Sequence, residues 1–149
     1  MACAPAQANL DNATPVINQY PTLLPTPTLA VFTREIDEED KEEAFNFLYE
    51  LKYHMATGEY EHFAEEIRYP ITVKVDGQPK TFVLVAEFEY NFEKIFTEEM
   101  INTFISSDES ELEFTDDGVK VGDGVIWFDL ICQDPNCDEA EFMITQINN

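Results

Sequence analysis

Positive charge is scarce in this chain: 8 lysines and arginines stand against 31 aspartates and glutamates among 149 residues, a formal net charge of −23. Nucleic-acid affinity rests on basic side chains that displace counterions from phosphates. So acidic a surface argues against DNA, RNA and anionic lipid as partners, and it favours cationic ones such as basic proteins or divalent ions. The same charge also serves solubility, and a saline milieu would account for it with no partner at all. Serine occurs only at positions 106, 107 and 110, and no Gly-x-Ser-x-Gly string, phosphate loop or dinucleotide fingerprint is present. The common enzyme signatures are therefore missing. No apolar run approaches the about 20 residues that cross a bilayer. Met1 is followed by small and polar residues instead of a secretory leader, so the chain reads as cytosolic or as relieved of its leader.

Cysteine and histidine are nearly as rare, with three and two copies. Cys132 and Cys137 flank Gln-Asp-Pro-Asn, a polar turn between two predicted strands. A disulfide closes that loop if the strand ends bring the Cα atoms within about 7 Å; the alternative is a pair of reduced thiols. Two thiols are too few ligands for zinc. His54 and His62 lie eight residues apart across Gly58, so they do not form an i, i+4 metal pair, and His62 with Glu66 makes only a weak one. The acid clusters of residues 35–43 and 108–117 lack the calcium-loop pattern and read as solvated charged faces. No metal site and no cofactor is expected.

What is present is ample core material. Hydrophobic residues make up 44% of the chain and include twelve phenylalanines, enough for one folded domain and too little chain for two. Residues 1–33 hold five of the eight prolines and read as an extended, flexible tether. Within it, Asn12-Ala-Thr14 fits a glycosylation acceptor that matters only in a eukaryotic secretory route. All eight bases and every acid but Asp11 lie from Arg34 onward, so residues 34–149 form a single acidic domain.

Asp37 is a good helix N-cap, and Ala44, Leu48, Leu51 and Met55 recur at helical spacing behind it, with Phe45 and Phe47 widening the stripe. A second, shorter helix carries Tyr60, Phe63, Ala64 and Ile67. The period then becomes two at Tyr69, Ile71, Val73 and Val75, and Asp76-Gly77-Gln78-Pro79 supplies a turn before a β-prone run over 81–85. Helical spacing returns at Phe88, Phe92, Ile95 and Phe96, with Thr97 able to restart a segment ending near Ile105. Strands are predicted over 112–115, 119–121, 125–131 and 140–147. The order predicts an α+β domain with helices packed on a mostly antiparallel sheet. Val125, Trp127 and Ile131 on one face and Ile126, Phe128 and Leu130 on the other make both faces of the late sheet apolar, so a second subunit or the sheet's own curl is expected to cover one.

Several strings resemble the NTF2-like (cystatin-like) superfamily, and within it small secreted bacterial domains of unassigned function. They are Ile67-Arg-Tyr-Pro-Ile-Thr-Val, Tyr90-Asn-Phe-Glu-Lys-Ile-Phe-Thr, Gly118-Val-Lys-Val-Gly-Asp-Gly-Val-Ile-Trp-Phe and the terminal Ile144-Thr-Gln-Ile-Asn-Asn. The resemblance spans roughly residues 38–149 and implies a cone: a curved sheet with about three helices on its concave face, leaving a pocket that relatives use for catalysis, ligand binding or dimer contacts. Catalytic members place an Asp and a His in that cone, whereas no polar residue here matches a family catalytic motif closely enough to carry over. Fold likeness alone does not supply function.

Pocket candidates are Tyr49, Tyr53, Arg68, Tyr90, Trp127 and Asp129, which the alternative reading makes core, rim or surface groups. The secreted resemblance favours the Cys132–Cys137 bridge. Cys3, after Ala2 and before a Pro- and Thr-rich tether, resembles the lipid-bearing first residue of a mature bacterial lipoprotein; otherwise it is an incidental thiol. The expected function is a non-enzymatic, secreted or surface-tethered binding domain, its ligand a small apolar molecule in the cone or a basic protein outside it. Two other classes stay open: a cone-pocket isomerase or dehydratase using Asp129 with Tyr53 or His54, and an acidic immunity or inhibitor protein against a basic toxin.

Overall fold

The computed structural model describes residues 32–149. The candidate lipid-bearing Cys3, Asn12 and nearly all of the Pro-rich segment lie outside the described residues. Helix α1 (Glu38–Thr57) starts where its chemistry puts it. Asp37 accepts from the backbone N–H groups of Glu39 and Asp40, while the Asp40 carboxylate accepts from the Asp37 N–H, which makes a complete capping box. Asp40 is buried and also accepts from the Arg34 guanidinium. Ala44, Phe47, Leu48, Leu51 and Met55 form the buried stripe. Helix α1 ends at Gly58, and α2 (Tyr60–Glu65) follows at once.

Strands β1 (Ile71–Val75) and β2 (Gln78–Phe82) pair antiparallel, with Val75 opposite Gln78. Only Asp76 and Gly77 lie in the turn, both at positive φ (52° and 76°), the pattern of a type I′ hairpin. The expected strand over 81–85 is thus corrected: pairing starts at Gln78 and stops at Phe82, and Val85 already opens a helix. Pro79 is tolerated because β2 is an edge. The single kinked helix expected next is three: α3 (Val85–Tyr90), α4 (Phe92–Ile95) and α5 (Glu98–Ser106). The breaks fall at Asn91 and at Phe96, which is extended (φ −101°, ψ 113°), and Thr97 caps α5 through its hydroxyl.

A four-stranded antiparallel meander completes the α+β fold: β3 (Glu113–Thr115), β4 (Gly118–Val121), β5 (Ile126–Cys132) and β6 (Ala140–Ile147), in that spatial order. One cross-strand row, Phe114, Val119, Phe128 and Ile144, faces the core. Phe47 of α1 packs on Phe128 and Phe142, and Phe45 meets Phe114 edge-on. The small sheet adjoins the large one: the Asn149 side chain accepts from the Lys74 N–H at 2.9 Å and donates to the Lys74 carbonyl, and Ile67 bridges to Ile144.

Two further expectations change. Val125 has helical φ and ψ (−61°, −42°) ahead of β5, so it does not share a face with Trp127. Pairing also reaches Phe32, two residues into the stretch read as tether: Thr33 bridges to Ile131, Cys132 donates to the Phe32 carbonyl, and Arg34 donates to that of Leu130. Cys132 and Cys137 form a disulfide, their Cα atoms 4.7 Å apart. No described helix is long and apolar enough to cross a membrane.

Candidate functional site

A shallow, open concavity of about 950 Å³ runs along the exposed side of α5. A single helix lines it, so it brings no converging groups. A groove of about 520 Å³ between α1 and β6 has more chemical content. Helix α1 contributes Glu43, Asn46, Phe47 and Glu50, one face at helical spacing. The end of α2 adds Glu65 and Glu66, and β6 adds residues 140–143, among them Glu141 and Phe142. Phe47 and Phe142 stack at 5.9 Å beneath this rim. Five carboxylates therefore surround an aromatic floor, and no lysine or arginine lines the groove.

Glu66 is tied to β6 through its backbone, its carbonyl accepting from the Ile144 N–H at 2.8 Å. Burial raises its carboxyl pKa above the usual range, the charges of Glu50, Glu141 and Glu65 add to the rise, and His54 opposes it. A group whose folded pKa is raised binds its proton more tightly folded than unfolded, so it favours folding as pH falls and opposes it near neutrality. Glu66→Gln is therefore expected to raise Tm at pH 7, with the gain fading as the pH approaches about 4, where the native carboxyl is itself protonated. Thermal melts at the two pH values check this, and a gain that persists at the lower one would contradict it.

The residues singled out from sequence do not gather at one place. Tyr49, Tyr53 and Tyr90 are solvent-exposed (70%, 52% and 84%) and line neither of these two concavities. Arg68 is half-buried, donates its backbone N–H to Ile144 and forms no salt bridge with any described residue. Trp127 is half-buried in an outer cross-strand row with Lys120 and Gln146, and its indole N–H has no partner among the described residues.

Asp129 points away from the Phe128 and Leu130 side of β5. It borders a separate cleft with Thr33, Arg34, Ile36, Lys41 and Thr115. Burial raises its pKa, while the Leu130 N–H donating to its Oδ1 at 2.8 Å opposes the rise. It shares neither that cleft nor a hydrogen bond with Tyr53 or His54.

Sequence reasoning missed the groove and also the meeting of the two histidines. Their rings lie 5.3 Å apart between centroids, although eight residues separate them in the chain. The legible trace of the groove was Glu43 and Glu50 flanking Phe47 on α1, acids bordering a core residue.

No protein-family model, curated protein or solved structure matches this chain. Its chemistry must therefore be taken from the groove itself. A carboxylate rim over stacked rings suits an ammonium or guanidinium head on an aliphatic stem, the head paired with acids and the stem laid on the aromatic floor.

Proposed function

We propose that residues 34–149 form a non-enzymatic, extracytoplasmic binding domain whose groove between α1 and β6 engages a basic segment of a partner protein. The observation that carries this is the concentration of Glu43, Glu50, Glu65, Glu66 and Glu141 around Phe47 and Phe142, with no lysine or arginine among them. Like charges held together weaken folding, and at Glu66 the charges of Glu50, Glu141 and Glu65 add to the burial that raises its pKa. A cationic partner relieves that repulsion on binding, and the surrounding field speeds its approach. The Cys132–Cys137 disulfide supports an oxidising location. Two helices, a hairpin, three short helices and then an antiparallel meander are consistent with an NTF2-like architecture.

Titrating a lysine-rich peptide into the protein tests the electrostatic part. Raising salt from about 0.1 M to about 1 M shortens the screening length from about 10 Å to about 3 Å. Affinity is expected to fall about tenfold or more over that range. An affinity indifferent to salt, or none at low salt, would refute the proposal.

A further inference from the structure

His54 lies in the last turn of α1 and His62 in α2, and the chain reverses between them at Gly58. The imidazole rings stand 5.3 Å apart between centroids, tilted by 44°. Each presents its Nδ1 to a carboxylate: Glu59 Oε2 lies 3.1 Å from His54, and Glu65 Oε2 lies 3.2 Å from His62. An ionised carboxylate only accepts, so both Nδ1 atoms carry the proton, and in the neutral rings both Nε2 atoms keep a free lone pair. Neither Nε2 has a hydrogen-bond partner among the described residues.

We propose that the Nε2 atoms of His54 and His62 together bind one borderline transition-metal dication of the zinc type, with water in its remaining positions. Two imidazoles on one tetrahedral ion, with Zn–N bonds of about 2.0–2.1 Å, hold their centroids about 5 Å apart, a separation the two rings already have. The carboxylates on Nδ1 are the outer partners that fix the tautomer of a metal-bound histidine and raise its basicity. Both rings reach solvent, with His54 21% and His62 57% exposed at the side chain, so an ion has a path in. No cluster of three or more His, Cys, Asp or Glu suited to a metal occurs among the described residues. The site is therefore open and exchangeable, unlike the closed four-ligand kind that holds a fold together. It goes beyond the binding of a basic segment, because its ligands are imidazoles outside the lining of the groove.

Zinc(II) titrated calorimetrically into the full chain, with excess magnesium present to occupy oxygen-only sites, tests the assignment. One zinc per chain is expected. His54→Ala and His62→Ala should each weaken it about tenfold or more, and Glu65→Gln should weaken it less, through its effect on His62 alone. In the wild type, zinc should shift the Nε2 nitrogen-15 resonances of both histidines, a readout that stands even if an alanine variant fails to fold. Zinc binding that survives both His substitutions, that magnesium abolishes, or that leaves either Nε2 resonance unmoved would overturn the proposal.

Discussion

Phe63→Ala is expected to lower folding stability by about 3–5 kcal/mol, a large share of the about 5–15 kcal/mol that domains have in total. Phe63 of α2 is fully buried. Its ring meets Phe92 at 5.6 Å, Phe96 at 5.4 Å and Phe104 at 6.5 Å, each nearly perpendicular. One side chain thus ties α2 to α4, to the link after it and to α5, all short segments with few internal hydrogen bonds. Such segments persist through tertiary packing and not through propensity. Removing the ring forfeits both its transfer free energy and the edge-to-face contacts, and it leaves a cavity among rings that cannot all close inward. Urea unfolding measures the loss; a shift below about 1 kcal/mol would mean that Phe63 is not the hub of this cluster.

Gly118→Ala should lose about 3 kcal/mol, from left-handed backbone strain together with overpacking. Gly118 has φ +113°, and a Cβ there would lie 2.8 Å from the Phe128 carbonyl oxygen and 3.3 Å from the Asp129 Cβ. The first obstacle is backbone of β5, so no rotamer change relieves it. Gly77→Ala isolates the two contributions: its φ is +76°, but nothing lies within 4 Å of its added Cβ. That change should carry only the dihedral term, about 1–2 kcal/mol. Equal destabilisation of the two variants would show that the contact with β5 contributes nothing.

Where local chemistry decides, the fold was legible in the sequence. Asp37 and the stripe behind it gave the start and the buried face of α1, and the last strand lies where alternation placed it, at residues 140–147. Residues 83–85 show the limit. Val83 and Leu84 are β-prone yet 61% and 63% exposed, because the two-residue turn sets the hairpin register and β2 ends opposite Ile71. The restart at Thr97 was legible and its hydroxyl caps α5, whereas the break at Asn91, whose side-chain amide donates to the Glu87 carbonyl, is one that periodicity does not encode.

The candidate site was far less legible. Glu50 and Glu141 are far apart in the chain, and only the packing of β6 beside α1 puts them in one groove. Read alone, each acid looks like one more solvated charge. His54 and His62 have no metal-like spacing along the chain, and their meeting depends on the reversal at Gly58. Asp129 shows the converse: alternation placed it on the face of Trp127, and there it shares neither its cleft nor a hydrogen bond with Tyr53 or His54.

The central claim is that acidity acts at the groove and not merely across the surface. Its most direct test compares two variants of equal charge by calorimetric titration with a lysine-rich peptide. One carries Glu50→Gln, Glu66→Gln and Glu141→Gln in the groove. The other carries Glu109→Gln, Asp116→Asn and Asp117→Asn, residues that do not line it. The groove variant is expected to bind about tenfold or more weakly than wild type, and the remote variant to change about threefold or less, as diffuse exposed charges do. Equal losses in the two variants would contradict the claim.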